Sequence, residues 1–123
     1  MRVLSSWVMR VVATLLRMDS RSRGAFWGWA LVRNASMEPT LREGDRLLVS
    51  YRRRPEVGDV VVARFPDGRL VVKRAAERRT AGWWLLSDNA AEGVDSRHRG
   101  AVPEEDVRGV VLGRVWPRPA RRL

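Results

Sequence analysis

The chain has 123 residues, 45% hydrophobic and 31% charged, with a formal net charge of +10. That length supports one core rather than two, and its apolar content with six tryptophans excludes a disordered polyelectrolyte. The absence of cysteine excludes disulfides and thiolate metal sites, and a single imidazole, His98, leaves a zinc site or Ser-His-Asp triad little to build from.

No metal or cofactor is therefore expected. His98 lies in the polar run Ser96-Arg97-His98-Arg99 and reads as a solvated loop residue. The basic excess predicts attraction to anionic partners. Its arginines cluster at Arg52-Arg53-Arg54 and Arg121-Arg122, and no nucleic-acid motif accompanies them. A generally basic surface is the more economical reading.

Residues 3–18 are amphipathic: Leu4, Trp7, Val8, Val11, Val12, Leu15 and Met18 share one helical face, opposite Arg2, Ser6, Arg10 and Arg17. Arg10 interrupts the run before the roughly 20 apolar residues a spanning helix needs, and would cost about 3 kcal/mol on insertion. The segment reads as a helix that lies on a membrane or packs on its own domain, followed by a polar linker over 19–24. No small-residue cleavage site marks it as a signal peptide.

Phe26 to Val32 is an aromatic strand leading to Ser36, with Trp27 and Trp29 on one face, suited either to the core or to a lipid interface. In Asn34-Ala35-Ser36-Met37-Glu38-Pro39-Thr40-Leu41, Pro39 disfavours helical backbone at Glu38. Ser36 to Glu38 is predicted to run extended before one helical turn over Pro39 to Glu43, ended by Gly44 in the left-handed region. A serine so placed shows its hydroxyl beside the N–H groups of the turn, as a nucleophile with an oxyanion hole requires. Taken alone it reads more economically as a serine that caps or solvates the turn.

Asp45 to Tyr51 alternates Leu47, Val49 and Tyr51 against Arg46, Leu48 and Ser50, a half-buried strand. Gly58 to Phe65 is a second strand, and Pro66-Asp67-Gly68 turns it into a third, Leu70 to Ala76. Lys73 lies in that third strand and is the sole lysine; the other 23 of the 24 basic residues are arginine. Arginine stays protonated in proteins, so general-base chemistry by a basic side chain falls to Lys73. Alternation sets Lys73 on the apolar face with Val71 and Ala75, where desolvation lowers its pKa. At about 10.4 only a few molecules in ten thousand would be neutral at pH 7, whereas near 8 roughly a tenth would be. The plainer reading is a lysine that snorkels at a strand end.

Trp83 to Ser87 returns as a strand, and Asp88 to Gly100 reads as a long loop. Pro103-Glu104-Glu105-Asp106 fits a short helical turn. Val107 to Trp116 is expected to close the sheet, and a basic tail ends the chain. The predicted fold is mainly β, antiparallel, with an N-terminal amphipathic helix. The predicted organisation is 1–24 helix and linker, 25–117 catalytic domain and 118–123 tail.

Ser36-Met37-Glu38-Pro39-Thr40-Leu41 with Gly44-Asp45, then Gly58-Asp59-Val60-Val61, Val72-Lys73-Arg74, Asp88-Asn89 and Asp95-Ser96-Arg97 with Gly100, resembles the ordered boxes of the signal peptidase I family of Ser-Lys endopeptidases. Within it, the short Ser36 to Lys73 spacing, Val71 to Arg79 and Trp83 to Ala90 are similar to the nickel-type superoxide dismutase maturation proteases, which trim an N-terminal extension from a precursor. The resemblance implies Ser36 as nucleophile and Lys73 as general base. It also implies an oxyanion hole from the Ser36 N–H and the Asn34 side chain, and a site floor held by Asp88, Asn89, Asp95, Ser96 and Arg97. Two positions depart from the pattern. Gly93 stands where signal peptidases carry the serine that hydrogen-bonds the lysine, and Ser87 stands where they have glycine, which leaves Ser96 or a water to orient Lys73.

The expected partner is a precursor protein, with peripheral membrane contact and no specific nucleic acid, on a monomer that is cytoplasmic or peripheral to a membrane. The rival reading is a non-catalytic basic β-module that binds nucleic acid or a membrane surface. A third resembles the self-cleaving repressors, although no helix-turn-helix domain precedes Ser36.

Overall fold

The computed structural model describes residues 27–123; the predicted amphipathic helix lies outside the described residues. They form one six-stranded antiparallel sheet in the order β1-β2-β6-β3-β4-β5. The strands are β1 (Trp27–Leu31), β2 (Arg46–Ser50), β3 (Val60–Arg64), β4 (Leu70–Arg79), β5 (Gly82–Leu86) and β6 (Val107–Trp116). A four-residue helix α1 (Ser96–Arg99) and a 3-10 turn (Glu104–Asp106) are the helical elements among the described residues.

Alternation divides the core between the two faces of the sheet. Val60, Val62 and Val111 pack with Ala30, Val32, Met37, Leu41, Leu47 and Val49 on one side. Val61, Ala63 and Val110 pack with Phe65, Ala75, Trp83, Leu85 and Val102 on the other. Strands whose neighbouring residues serve opposite cores are covered on both faces, which is why β3 and the middle of β6, residues 109–113, read as continuous apolar runs.

Two expectations are corrected. β6 does not close the sheet at an edge; it lies inside, between β2 and β3, because Val110 and Val111 feed both cores. Ser36 to Glu38 are not extended, and the single turn expected over Pro39 to Glu43 begins earlier, at Met37. Residues 36–40 form hydrogen-bonded turns, with Glu38 N–H donating to Ala35 O (3.1 Å) and Leu41 N–H to Met37 O (2.9 Å). Burial of both Met37 and Leu41 in one core decides that shape. Gly44 takes the left-handed conformation expected of it (φ +92°), as does Gly68 in the β3–β4 turn (φ +85°).

The β3–β4 hairpin fixes the register that matters for the site: Val61 faces Lys73 and Val60 faces Arg74. β5 pairs with β4 only from Arg74 onward, so Leu70 to Lys73 keep one backbone edge open.

Candidate active site

Ser36 follows β1 in a loop closed at its base by Val32 N–H to Asp45 O and Gly44 N–H to Val32 O, both 2.9 Å. Asp45 caps the loop from below, accepting from Arg42 N–H at 2.9 Å. Met37 and Leu41 anchor it in the core, and Ser36 itself is only 3% exposed.

Asp88 and Asn89 grip this loop from the other side. Asn89 N–H donates to Ser36 O (2.8 Å) and Asn89 Nδ2 to Ala35 O (3.1 Å). Thr40 Oγ1 donates to Asp88 Oδ2 at 2.6 Å, and Arg74 binds both Asp88 oxygens through Nε (3.1 Å) and Nη2 (2.6 Å). Burial raises the Asp88 pKa, but the bonds from Arg74 and Thr40 outweigh it and the carboxyl is held below its usual value. The serine loop, β4 and the loop after β5 are thus tied through one carboxylate.

Lys73 points to the opposite face from Arg74, among Val61 and Ala75, and is 3% exposed. Burial pushes its ammonium down from 10.5 to about 8; Asp95 raises it and Arg97 lowers it further as smaller influences. Its Nζ donates to Ser87 Oγ at 3.0 Å. Ser36 and Lys73 border the same glycine: a Cβ built on Gly93 would stand 3.2 Å from Lys73 Nζ and 3.7 Å from Ser36 Oγ.

Asp95 is fully buried and forms the N-cap of α1. It accepts from the Ser87 N–H (2.9 Å), the Arg97 N–H (3.0 Å) and the Arg97 guanidinium (3.0 Å). Burial raises its pKa, yet these donors prevail and hold it at about 2. His98 completes a capping box by accepting from Asp95 N–H at 3.3 Å, while its ring stays largely in solvent. Ser96 Oγ accepts from Leu85 N–H at 2.8 Å, so it braces β5 and does not reach Lys73 as its sequence position had suggested.

Asn34 is exposed, and its Oδ1 accepts from the Ser36 N–H at 3.1 Å. The amide presents an acceptor toward that N–H. For the Ser36 N–H to serve an oxyanion, this contact has to open.

Ser36, Lys73 and Gly93 sit in a cleft of about 170 Å³ that runs between Leu31–Asn34 and the open edge of β4 at Leu70–Val72. Met37, Phe65 and Val94 line it together with the charged Arg33, Asp67, Arg69 and Arg99. A small cleft beside an open strand edge, lined by a buried amine and a hydroxyl, is suited to hydrolysis of an extended chain. No cluster of metal-binding side chains occurs among the described residues.

The family described as Peptidase S24-like matches residues 6–111. The chain belongs to this family. The S24-like peptidase is similar to proteins named mitochondrial inner membrane protease subunit 1. The Schizosaccharomyces pombe protein is 32% identical over 113 aligned residues, covering 68% of this chain and 70% of the relative. The Xenopus tropicalis protein is 32% identical over 108, covering 67% and 65%, and the Mus musculus protein 25% identical over 116, covering 73% and 70%. The S24-like peptidase is therefore a serine-type, signal-peptidase-like protease, and the reading as a non-catalytic β-module gives way to an enzyme.

Sequence reasoning brought Ser36 and Lys73 of the S24-like peptidase to the same place and left out three contacts. Ser87 at Lys73, and Arg74 with Thr40 at Asp88, went unread. Half of the signal for Ser87 was available: Trp83, Leu85 and Ser87 alternate onto one face, whereas its place opposite Lys73 follows from the Arg74–Leu86 and Ala75–Leu85 register of the folded sheet, carried one residue further.

Proposed function

We propose that this peptidase cleaves an N-terminal extension from a precursor protein with a Ser36–Lys73 dyad. The observation that carries the reading is that Lys73, buried and titrating near 8, shares one cleft floor with Ser36, whereas Ser87 does not line that cleft. Of the two hydroxyls near the amine, Ser36 is the one whose residue lines the cleft a substrate would enter.

In this reading neutral Lys73 takes the Ser36 proton as Oγ attacks the scissile carbonyl. The resulting ammonium returns the proton to the leaving amine, giving an acyl-enzyme. Lys73 then takes a proton from water, hydroxide attacks the ester, and Ser36 recovers its hydrogen. The Ser36 N–H, released from Asn34 Oδ1, faces the oxyanion, with the Asn34 amide rotated to add a second donor. The substrate runs as a strand along the open edge of β4. Residues 25–117 are assigned to catalysis, with 1–24 and 118–123 as appendages.

The substrate favoured by the resemblance of Val71–Arg79 and Trp83–Ala90 is the nickel-type superoxide dismutase precursor. Incubating the purified protein with that precursor and sequencing the new N-terminus tests it. One defined cut, lost in Ser36→Ala and in Lys73→Arg, is expected. Cleavage that persists in either variant rejects the dyad, and an uncut precursor rejects this substrate.

Membrane contact belongs to the same reading. No helix among the described residues is long and apolar enough to cross a membrane. Trp27, Trp29 and Trp116 are 57%, 42% and 55% exposed, and the Arg46 guanidinium lies 5.0 Å from the Trp116 ring centre. Aromatic rings beside arginine favour a headgroup layer. Co-sedimentation with anionic vesicles, reduced in a Trp27→Ala/Trp29→Ala protein, is the expected result.

A further inference from the structure

An amine that takes a proton from Ser36 must keep its lone pair aimed at that hydroxyl, and the flexible four-carbon stem of lysine does not do this unaided. Among the described residues, the hydrogen bond that Lys73 Nζ makes is to Ser87 Oγ, at 3.0 Å. Ser87 is itself fixed: it is 7% exposed, and its backbone N–H is bound by the fully buried Asp95.

Position 93 has no room to share the task. A Cβ there would lie 2.8 Å from Ser36 Cβ and 3.2 Å from Lys73 Nζ, on a backbone with φ +77°. Either feature alone resists a side chain; together they keep glycine there.

We propose that Ser87 is the positioning residue for the general base, its hydroxyl accepting from Lys73 Nζ in place of the hydroxyl that signal peptidases carry at the position of Gly93. The proposal rests on the Ser36–Lys73 reading above. The two departures from the signal-peptidase pattern then become one exchange, in which a hydroxyl has moved from the loop to the end of β5. With one Nζ–H held by Ser87, deprotonation leaves the lone pair free to sweep toward Ser36. Ser87 is not among the residues that line the cleft, so its part is to position the amine and not to touch substrate.

Lys73 is the only lysine, so lysine labelled with carbon-13 gives a single side-chain signal whose titration reads this amine directly. In the full chain, Ser87→Ala is expected to lower the midpoint by about one pH unit, because an acceptor that favours the ammonium is gone. Ser87→Thr, which keeps the hydroxyl, is expected to restore it. Acyl transfer from p-nitrophenyl acetate supplies the second readout. Ser87→Ala is expected to lower its plateau kcat about ten- to a hundredfold at unchanged KM, with recovery in Ser87→Thr.

An unmoved midpoint with a wild-type plateau in Ser87→Ala overturns the proposal, as does equal loss in a folded Ser87→Thr. If Ser87→Ala does not fold, Ser87→Cys substitutes for it, being similar in size but a weak acceptor. An alanine-like loss then supports the role and wild-type behaviour overturns it. Failure of the dyad is distinguishable: acyl transfer surviving in Ser36→Ala or Lys73→Arg removes the dyad whatever Ser87 does. Loss in both, with Ser87→Ala unaffected, removes only the Ser87 role.

Discussion

Lys73 faces Val61 across the β3–β4 ladder, an ammonium opposite a fully buried aliphatic side chain. That placement destabilises the fold at neutral pH. Its folded pKa of about 8 lies below the 10.5 of the open chain, so between those values the unfolded state binds more protons and stability rises with pH. Below 8 the full penalty applies, and above 10.5 it vanishes. The shift corresponds to about 3 kcal/mol, reduced by about 1 kcal/mol when a substitution leaves the Ser87 hydroxyl unpaired. Lys73→Met is therefore expected to gain about 1–2 kcal/mol at pH 7, a gain that disappears toward pH 10.5. Urea unfolding at several pH values checks this, and a variant less stable than wild type at pH 7 contradicts it.

With Lys73 as the proposed general base, the same titration governs turnover. The rate of precursor cleavage is expected to rise tenfold per pH unit up to a bend near 8, where Lys73 loses its proton. Lys73→Arg keeps the charge and is expected to show no cleavage at any pH up to 10, because a guanidinium stays protonated throughout. An acid limb that bends well below 7 in the wild type would assign the base to another group.

Much of this site was legible in local pattern. Alternation in Leu70–Ala76 placed Lys73 inward, and the Pro66-Asp67-Gly68 turn fixed the register that keeps it there. Two things were not legible. The central position of β6 depends on pairing with β2 and β3, strands remote in sequence, which no local period records. The shape of the loop after Ser36 followed from tertiary burial of Met37 and Leu41, which overrode the helix-opening preference of Pro39. Ser87 falls between: its face was readable, but its partner depended on a β4–β5 register that shifts between Ala75 and Glu77.

Gly93 offers a separate test of crowding at the dyad. Gly93→Ala must place its Cβ 2.8 Å from Ser36 Cβ at a left-handed φ. A stability loss of about 1–3 kcal/mol and a fall in kcat larger than in KM are expected, since the displaced atoms belong to the proposed nucleophile. Gly93→Ser is expected to do no better, and in a Ser87→Ala background it is expected not to restore the rate. Thermal melts and precursor kinetics on the three proteins decide it.

Asp88 joins Arg74 to Thr40, so its loss should act through the serine loop. Asp88→Asn is expected to retain part of the Thr40 contact and lose the ion pair. With both side chains partly exposed, the stability cost is modest, about 1 kcal/mol. Its kcat is expected to fall several-fold because Ser36 O is held by Asn89, the next residue. A double-mutant cycle with Arg74→Gln gives the coupling, and strict additivity would disconnect the two residues.

Asn34 separates two ways of serving an oxyanion. In the free enzyme its Oδ1 accepts from the Ser36 N–H, so a transition state has to displace one acceptor with another. Asn34→Ala removes the competing acceptor and the second donor together, and a net loss in kcat of about a hundredfold is expected if the donor matters more. Asn34→Asp keeps an acceptor, strengthens it with charge, and offers no donor, so its loss at pH 8 should exceed that of alanine about tenfold. The order of the two variants carries the argument. Asparagine above alanine above aspartate makes Asn34 an oxyanion donor, while alanine faster than wild type makes its resting contact an obstruction that substrate must displace.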